Sequence, residues 1–203
     1  MAEQLTESHF FAIVSRMKYI ERWQLMRNAR AENLSEHSLE VAMIAHALCV
    51  IANVRYGRSL DANRAALVGL YHDASEIVTG DMPTPVKYRN DRLSGAYKEV
   101  EREAEDELLA TLPDDLRPAF DQAFSCSKDD ADDVYLHELV KAADKLSAYI
   151  KCLEEASAGN AEFRTAARST LEALEELRAG HPELGDFMEE FLPSYGRTLD
   201  ELL

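Results

Sequence analysis

Residues 61–80 read DANRAALVGLYHDASEIVTG, and this stretch decides both the fold class and where to look for chemistry. Asp61 has the side chain of a helix N-cap, and Leu67, Leu70 and Tyr71 follow at three- and four-residue spacing. The pattern predicts one helix from Asp61 to about Val78, stopped by Gly80. Within it stands the adjacent pair His72-Asp73. On a helix two such neighbours lie about 100° and about 1.5 Å apart, so both can face one crevice. A His-Asp dipeptide alone is a weak signal. It gains meaning only if other ligand-type residues reach the same crevice.

The same periodicity runs through almost the whole chain, while period-two alternation is scarce. With 8 Gly and 6 Pro in 203 residues, the expected class is all-α, and the length suits one domain over residues 1–203. A first helix is predicted over about 9–20, with Phe10, Ile13, Val14, Met17 and Ile20 on one stripe. Arg22-Trp23 and a turn-like stretch through Arg30 and Asn33 follow. Ser35 is the expected N-cap of a second helix that holds His37 and runs to about residue 53, before a break at Gly57. Asp81-Met82-Pro83-Thr84-Pro85 is expected to be non-helical, because each Pro disfavours helix at the residue before it. Further helices are expected over about 93–111, from Pro113, over 132–158, over 161–179 and over 186–203. The acids of 127–133 read as a helix start or solvated loop.

Composition excludes several functions. The net charge is −16, which argues against binding a nucleic-acid polymer, since polyanions require dense Lys and Arg. A small anionic substrate stays open if a metal and a few local cations supply positive field. No uninterrupted apolar run approaches the roughly 20 residues that span a bilayer, and the opening MAEQLTESHF lacks the form of a secretory signal. Cys49, Cys126 and Cys152 are far apart with no CxxC, so neither a disulfide framework nor a structural zinc site is expected. A cytoplasmic protein with no membrane contact is the expectation.

The ligand types point to a metal. His37 near the start of one helix, His72-Asp73 on a second and Asp144 midway along a third can converge if the three apolar faces pack together. Two imidazoles and two carboxylates suit borderline and harder divalent ions, and they leave positions open for water and substrate, as catalytic sites do. Asp144 lies among Leu139, Val140, Ala142, Ala143, Leu146 and Ala148, so its carboxylate needs a partner, either a metal or Lys141 or Lys145 reaching across. His46 is half a turn round the helix from His37 and cannot share that ion. His137 reads as surface, and His9 and His181 as structural. Glu76, three and four residues after the pair, sits where a general acid or base would reach a metal-bound water; a solvated helix end has the same spacing. The stripe Phe187, Met188, Phe191, Leu192 serves equally as an interface or as a docked C-terminal helix.

The order His, His-Asp, Asp on successive helices resembles the HD-domain superfamily of metal-dependent phosphohydrolases. ERWQLMRNAR, ENLSEHSLEVAMIAHAL, LYHDASEIVTGDMPTPVKY, VKAADKLSAYIKCLEE and FMEEFLPSY look like the bacterial 5′-deoxynucleotidases of the YfbR type, in the same order and over nearly the whole chain. The resemblance implies an HD-domain helical bundle with a metal site in its core, the metal-binding region spanning about 30–150. It implies a homodimer that uses one divalent cation (Co, Mn or similar) to activate water and remove the 5′-phosphate of deoxyribonucleoside monophosphates. On this reading His37, His72, Asp73 and Asp144 hold the metal, and Glu76 handles the attacking water. Arg22 and Trp23 grip the phosphate, and Asp81, Met82, Pro83 and Thr84 line the sugar, with His37, Asp73 and Asp144 also facing substrate. Rival expectations are another HD phosphohydrolase, acting on dNTPs, cyclic nucleotides or general phosphomonoesters, and a non-catalytic nucleotide-binding module.

Overall fold

Most of the three- and four-residue apolar spacing folds as helix among the described residues. The computed structural model describes residues 7–87 and 89–203, and the side chain of the expected sugar-loop residue Thr84 lies outside the described parts. Among the described residues there is no strand, only an isolated antiparallel bridge between Glu21 and Asn33. Helix α1 (Phe10–Val14) tightens directly into a 3-10 segment over Ser15–Tyr19, so the expected first helix is two kinds of helix in series.

Helix α2 (Leu34–Tyr56) is capped by Asn33, whose side chain accepts from the N–H groups of Ser35 and Glu36. Ser35, the expected cap, is instead inside the first turn. Gly57 ends the helix at φ 68, a conformation open to Gly at no steric cost. Asp61 caps α3 (Ala62–Tyr71) as expected, by accepting from Arg64 N–H. That helix stops seven residues sooner than its apolar pattern suggests. Past Tyr71 the backbone tightens to three-residue bonds, from Ala74 N–H to Tyr71 O and from Glu76 N–H to Asp73 O. A short α4 (Glu76–Thr79) then ends at Gly80.

The Pro-rich stretch is irregular only as far as Pro83. Thr84–Lys87 forms one turn, α5, in which Pro85 occupies an early position where a missing N–H costs nothing. Helices α6 (Asp91–Leu109), α7 (Arg117–Asp121) and the 27-residue α8 (Ala131–Ser157) follow. Asp130 caps α8, so the acidic run is in part a helix start. A 3-10 turn, α9 (Arg164–Arg178), α10 (Pro182–Glu190), a second 3-10 turn and α11 (Leu199–Leu202) complete the chain. Phe187, Met188 and Leu192 are buried in the core and only Phe191 is exposed, so that stripe is a docked helix rather than a free face.

Two hydrophobic clusters hold these elements. The larger joins α2, α3, α8 and α10 through Val41, Leu48, Val68, Leu139, Leu146 and Leu184; the smaller joins Phe10, Met17, Leu34, Ala74, Leu108 and Leu112. Helix α2 is the centre. By length and composition it could cross a membrane, with a mean hydropathy of 1.5 over its best window. Burial against α3, α8 and α10 accounts for much of that apolar character.

Gly69 sets the spacing of α3 on α2. A Cβ there would stand 2.8 Å from Ala42 Cα and 3.0 Å from Ala42 N, and backbone cannot move aside as a side chain can. Gly69→Ala is therefore expected to cost about 1–3 kcal/mol through overpacking, read as a lower urea midpoint with unchanged slope. A midpoint equal to wild type would show that the two helices have room to spare.

Candidate metal centre

The two clusters leave a seam, and the ligand-type residues lie along it. On α2, His37 falls between Leu34 of the smaller cluster and Val41 of the larger; in the segment from α3, His72-Asp73 falls between Val68 and Ala74. Asp144 comes from mid-α8. The His37 and His72 rings face each other with centroids 5.3 Å apart. His37 Nε2 stands 3.1 Å from Asp144 Oδ1 and 3.6 Å from Asp73 Oδ2, and His72 Nε2 stands 3.1 Å from Asp73 Oδ2. One ligand atom each from His37, His72 and Asp144 lies within 4.8 Å of the others. All four expected residues come together, and Asp144 meets His37 rather than Lys141 or Lys145.

The donor set suits a divalent ion. His72 Nδ1 lies 2.8 Å from Gly69 O, and a carbonyl only accepts, so Nδ1 carries a hydrogen and Nε2 is the ring atom turned to the acids. His37 Nδ1 is held by Ser147 Oγ at 3.0 Å. The Nε2 atoms of both rings are buried without a hydrogen-bond partner. Buried orphan nitrogens on two facing imidazoles beside two carboxylates are what a cation would satisfy. Titration follows the same geometry. Burial works to raise both aspartates, yet His72 holds Asp73 down and the His37 contact holds Asp144 down. Burial works to lower His72, but Asp73 overrides it and pushes the ring up to about 9. His37 is lowered, by burial and then by Arg22.

The other expected residues border this cluster. Arg22 Nη1 is 3.4 Å from Asp73 Oδ2, and its buried Nε has no hydrogen-bond partner. Trp23 adopts φ 57, a strained conformation for a bulky residue. It is fixed from four sides: its N–H donates to Asp81 Oδ2, its indole donates to Glu32, its carbonyl accepts from Asn28, and Phe163 packs at its edge. Asp81 thus joins the two loops expected to meet substrate. Glu76 is buried rather than solvated, and burial with Asp73 and Asp81 pushes its carboxyl up to about 9. Lys87 is tied to Glu101 at 2.6 Å. Sequence reasoning missed Glu32, buried between Arg22 Nε at 3.9 Å and the Trp23 indole; an acid in a polar turn carries no spacing signal.

The comparisons decide the kinship. The family profile described as YfbR-like, 5′-deoxynucleotidase YfbR-like, matches residues 9–195. The chain belongs to this YfbR-like family. It is similar to the 5′-deoxynucleotidase YfbR of Salmonella typhi, 50% identical over 202 residues that cover 98% of this chain and 97% of that protein. The 5′-deoxynucleotidase of Erwinia tasmaniensis is 48% identical over 203 residues, covering 98% of each. Solved structures agree on the fold at 22% identity. An HD-domain phosphohydrolase from Listeria innocua matches with a TM-score of 0.76 over 92% of this chain and 88% of that one. A cyanophage S-2L HD phosphohydrolase, bound to dA and one catalytic Zn²⁺ ion, matches at 0.60 over 97% and 100%. The expected HD-domain bundle is the fold observed.

In this YfbR-like chain a second His/Cys/Asp group also exists. Cys126, Asp133 and His137 bring ligand atoms within 4.8 Å, beside a cavity of about 530 Å³ lined by Leu60, Arg64 and Asp133. Asp133 is already held by Arg64 and by Ser127 N–H, and the guanidinium opposes a cation there. His137, expected at the surface, is half-buried in this group. His46 is exposed, and His181 is buried against Leu177 O and Glu138 as a structural residue.

The loop that carries Arg22 and Trp23 in this YfbR-like chain is anchored from behind by α8. Lys151 donates to Arg30 O and to Glu155, and Glu155 accepts from the N–H groups of Ala29 and Arg30 and from Asn160. Burial works to raise Glu155, but Lys151 and these N–H donors hold it down at about 2, against an ordinary value of 4.5. A depressed carboxyl stabilises the fold fully above its unfolded value and loses that contribution as pH falls towards its folded one. Acid unfolding of wild type is therefore expected to steepen between about 4.5 and about 2. In urea titrations across that range, Glu155→Gln should be weaker at neutral pH and flatter on the acid side. Parallel curves for the two proteins would show that the anchor contributes nothing.

Proposed function

We propose that this chain hydrolyses deoxyribonucleoside 5′-monophosphates to deoxynucleosides and inorganic phosphate, using one divalent cation held by His37, His72, Asp73 and Asp144. The observation that carries the reading is the pair of buried, unpartnered Nε2 atoms facing two carboxylates, in a chain of the YfbR-like family. When bound, the ion supplies a Lewis acid for phosphoryl oxygens and a lowered pKa for water. Arg22 offers a planar donor fork to the phosphate, with its Nε making no hydrogen bond. Trp23, locked by its four contacts, shapes the wall beside it. Glu76, buried at the first position of α4 with Oε2 unpartnered, is the group that handles the proton of the attacking water. Asp81, already bonded to Trp23 N–H, turns towards the sugar with Met82 and Pro83, where a carboxylate leaves little room for a ribose 2′-hydroxyl.

Phosphate release from dAMP, AMP and dATP by metal-stripped protein, with and without added Co²⁺ or Mn²⁺, tests this directly. Activity is expected only with the ion, highest on dAMP, with kcat/KM on AMP lower by about tenfold or more. Glu76→Gln should keep the ion and lose about 10²–10⁴-fold in kcat. Turnover that favours dATP or AMP would make the chain a different HD phosphohydrolase. A binding chain with no turnover would make it a nucleotide-binding module.

The same reading extends to assembly and location. A homodimer is supported by α2, whose residues Leu39, Met43, Val50 and Val54 fall on one face and are exposed by 54, 59, 39 and 78%. Light scattering behind gel filtration should give twice the 22.8 kDa chain mass for wild type and the single chain mass for Met43→Glu with Val54→Glu; a monomeric wild type refutes the dimer. A single domain is supported by the family match over residues 9–195. A cytoplasmic setting is supported by three free cysteines, two of them buried.

A further inference from the structure

Behind His37, on the side away from the other ligands, lies a short chain of hydrogen bonds that neither metal nor substrate contacts require. Ser147 Oγ donates to Glu40 Oε2 at 2.6 Å and stands 3.0 Å from His37 Nδ1. We propose that Ser147 and Glu40 are positioning residues for the metal: their relay fixes His37 in the tautomer whose Nε2 lone pair faces Asp144, Asp73 and His72. The proposal rests on the metal site described above.

The direction of the relay follows from counting hydrogens. A hydroxyl has one. Spent on Glu40, it leaves Ser147 Oγ able only to accept from His37, so Nδ1 must carry a ring proton, and Nε2 is the atom a metal would take. Glu32 Oε1, at 3.6 Å from Nδ1, is beyond hydrogen-bond length and cannot substitute. His72 Nδ1 is fixed as a donor by a different route, through Gly69 O. The placement is helical arithmetic: Glu40 is three residues after His37 on α2, and Ser147 is three after Asp144 on α8, so each ligand helix carries a support one turn along. Ser147 is wholly buried, while Glu40 lines a cavity of about 200 Å³ with Arg30, Glu36 and Lys151. The relay thus runs from the edge of that cavity to the back of the ligand. Removing supports of this kind weakens metal affinity by about 10–100-fold.

The test uses the full chain and Zn²⁺ as probe. Zinc affinity is measured by competition with a chromogenic chelator, the His37 tautomer by long-range ¹H–¹⁵N correlation in metal-free protein, and stability by urea. Wild type is expected to bind zinc and to show Nδ1–H at His37. Ser147→Ala and Glu40→Ala should each weaken zinc binding by about 10–100-fold and erode the Nδ1–H signature, while Ser147→Thr, which keeps the hydroxyl, stays near wild type. Both alanine variants retaining wild-type affinity and tautomer, with only urea stability reduced, would overturn the relay as a structural contact. A wild type that binds no zinc would instead sink the metal reading itself, and the proposal with it.

Discussion

The site depends on how closely α3 can lie on α2. At Gly69 the two backbones come so near that no Cβ fits against Ala42, and that approach is what lets the His37 and His72 rings face each other at 5.3 Å. The same residue also offers the carbonyl that holds His72 Nδ1. One glycine therefore governs both the separation of the two histidine-bearing helices and the orientation of the His72 ring. Leu or Met at that position would fill the helix face better and would also pry the two rings apart.

The surrounding core explains why the seam stays in place. His37 and His72-Asp73 each have a residue of the smaller cluster on one side and of the larger on the other. Polar groups in such a seam are kept from water yet are not displaced by packing, because apolar side chains on both sides are already satisfied with one another. The cost of burying imidazole and carboxylate there is offset by their mutual contacts. The orphan Nε2 atoms mark the part of that cost the chain alone leaves uncompensated.

Much of this was legible in the sequence, because helix periodicity is local and ligand types are few. The four residues that meet at the seam, the Asp61 cap and the Gly57 and Gly80 stops all follow from residue type and spacing. The misread helix end at His72 has a clear cause. Its side chain bonds the Gly69 carbonyl, and the following backbone tightens into three-residue turns, a competition that apolar spacing does not record. The left-handed Trp23 was not legible either, since bulky residues are poor markers of that conformation and its four restraints come from residues 28, 32, 81 and 163. Ser147 bonds Glu40 across 107 positions of chain. Pairings over that distance appear only once helices pack.

The acidity of the chain is less of an obstacle to an anionic substrate than its net charge of −16 suggests. Surface acids are screened over about 8 Å at physiological salt, so they repel a long polyanion, which must lie across many of them, far more than a small monophosphate in a cleft. Inside the cleft the balance is set by contact distances. Arg22 is compensated by Asp73 and Glu32 at 3.4 and 3.9 Å, and with Asp144 nearby the acids outnumber it. A divalent ion held by the two aspartates would offset their charge and relieve the Arg22 guanidinium of its nearest competitor. The carboxylates that would repel a phosphate would then be the groups that let it bind, which is how so acidic a protein could carry a phosphate site beside Arg22.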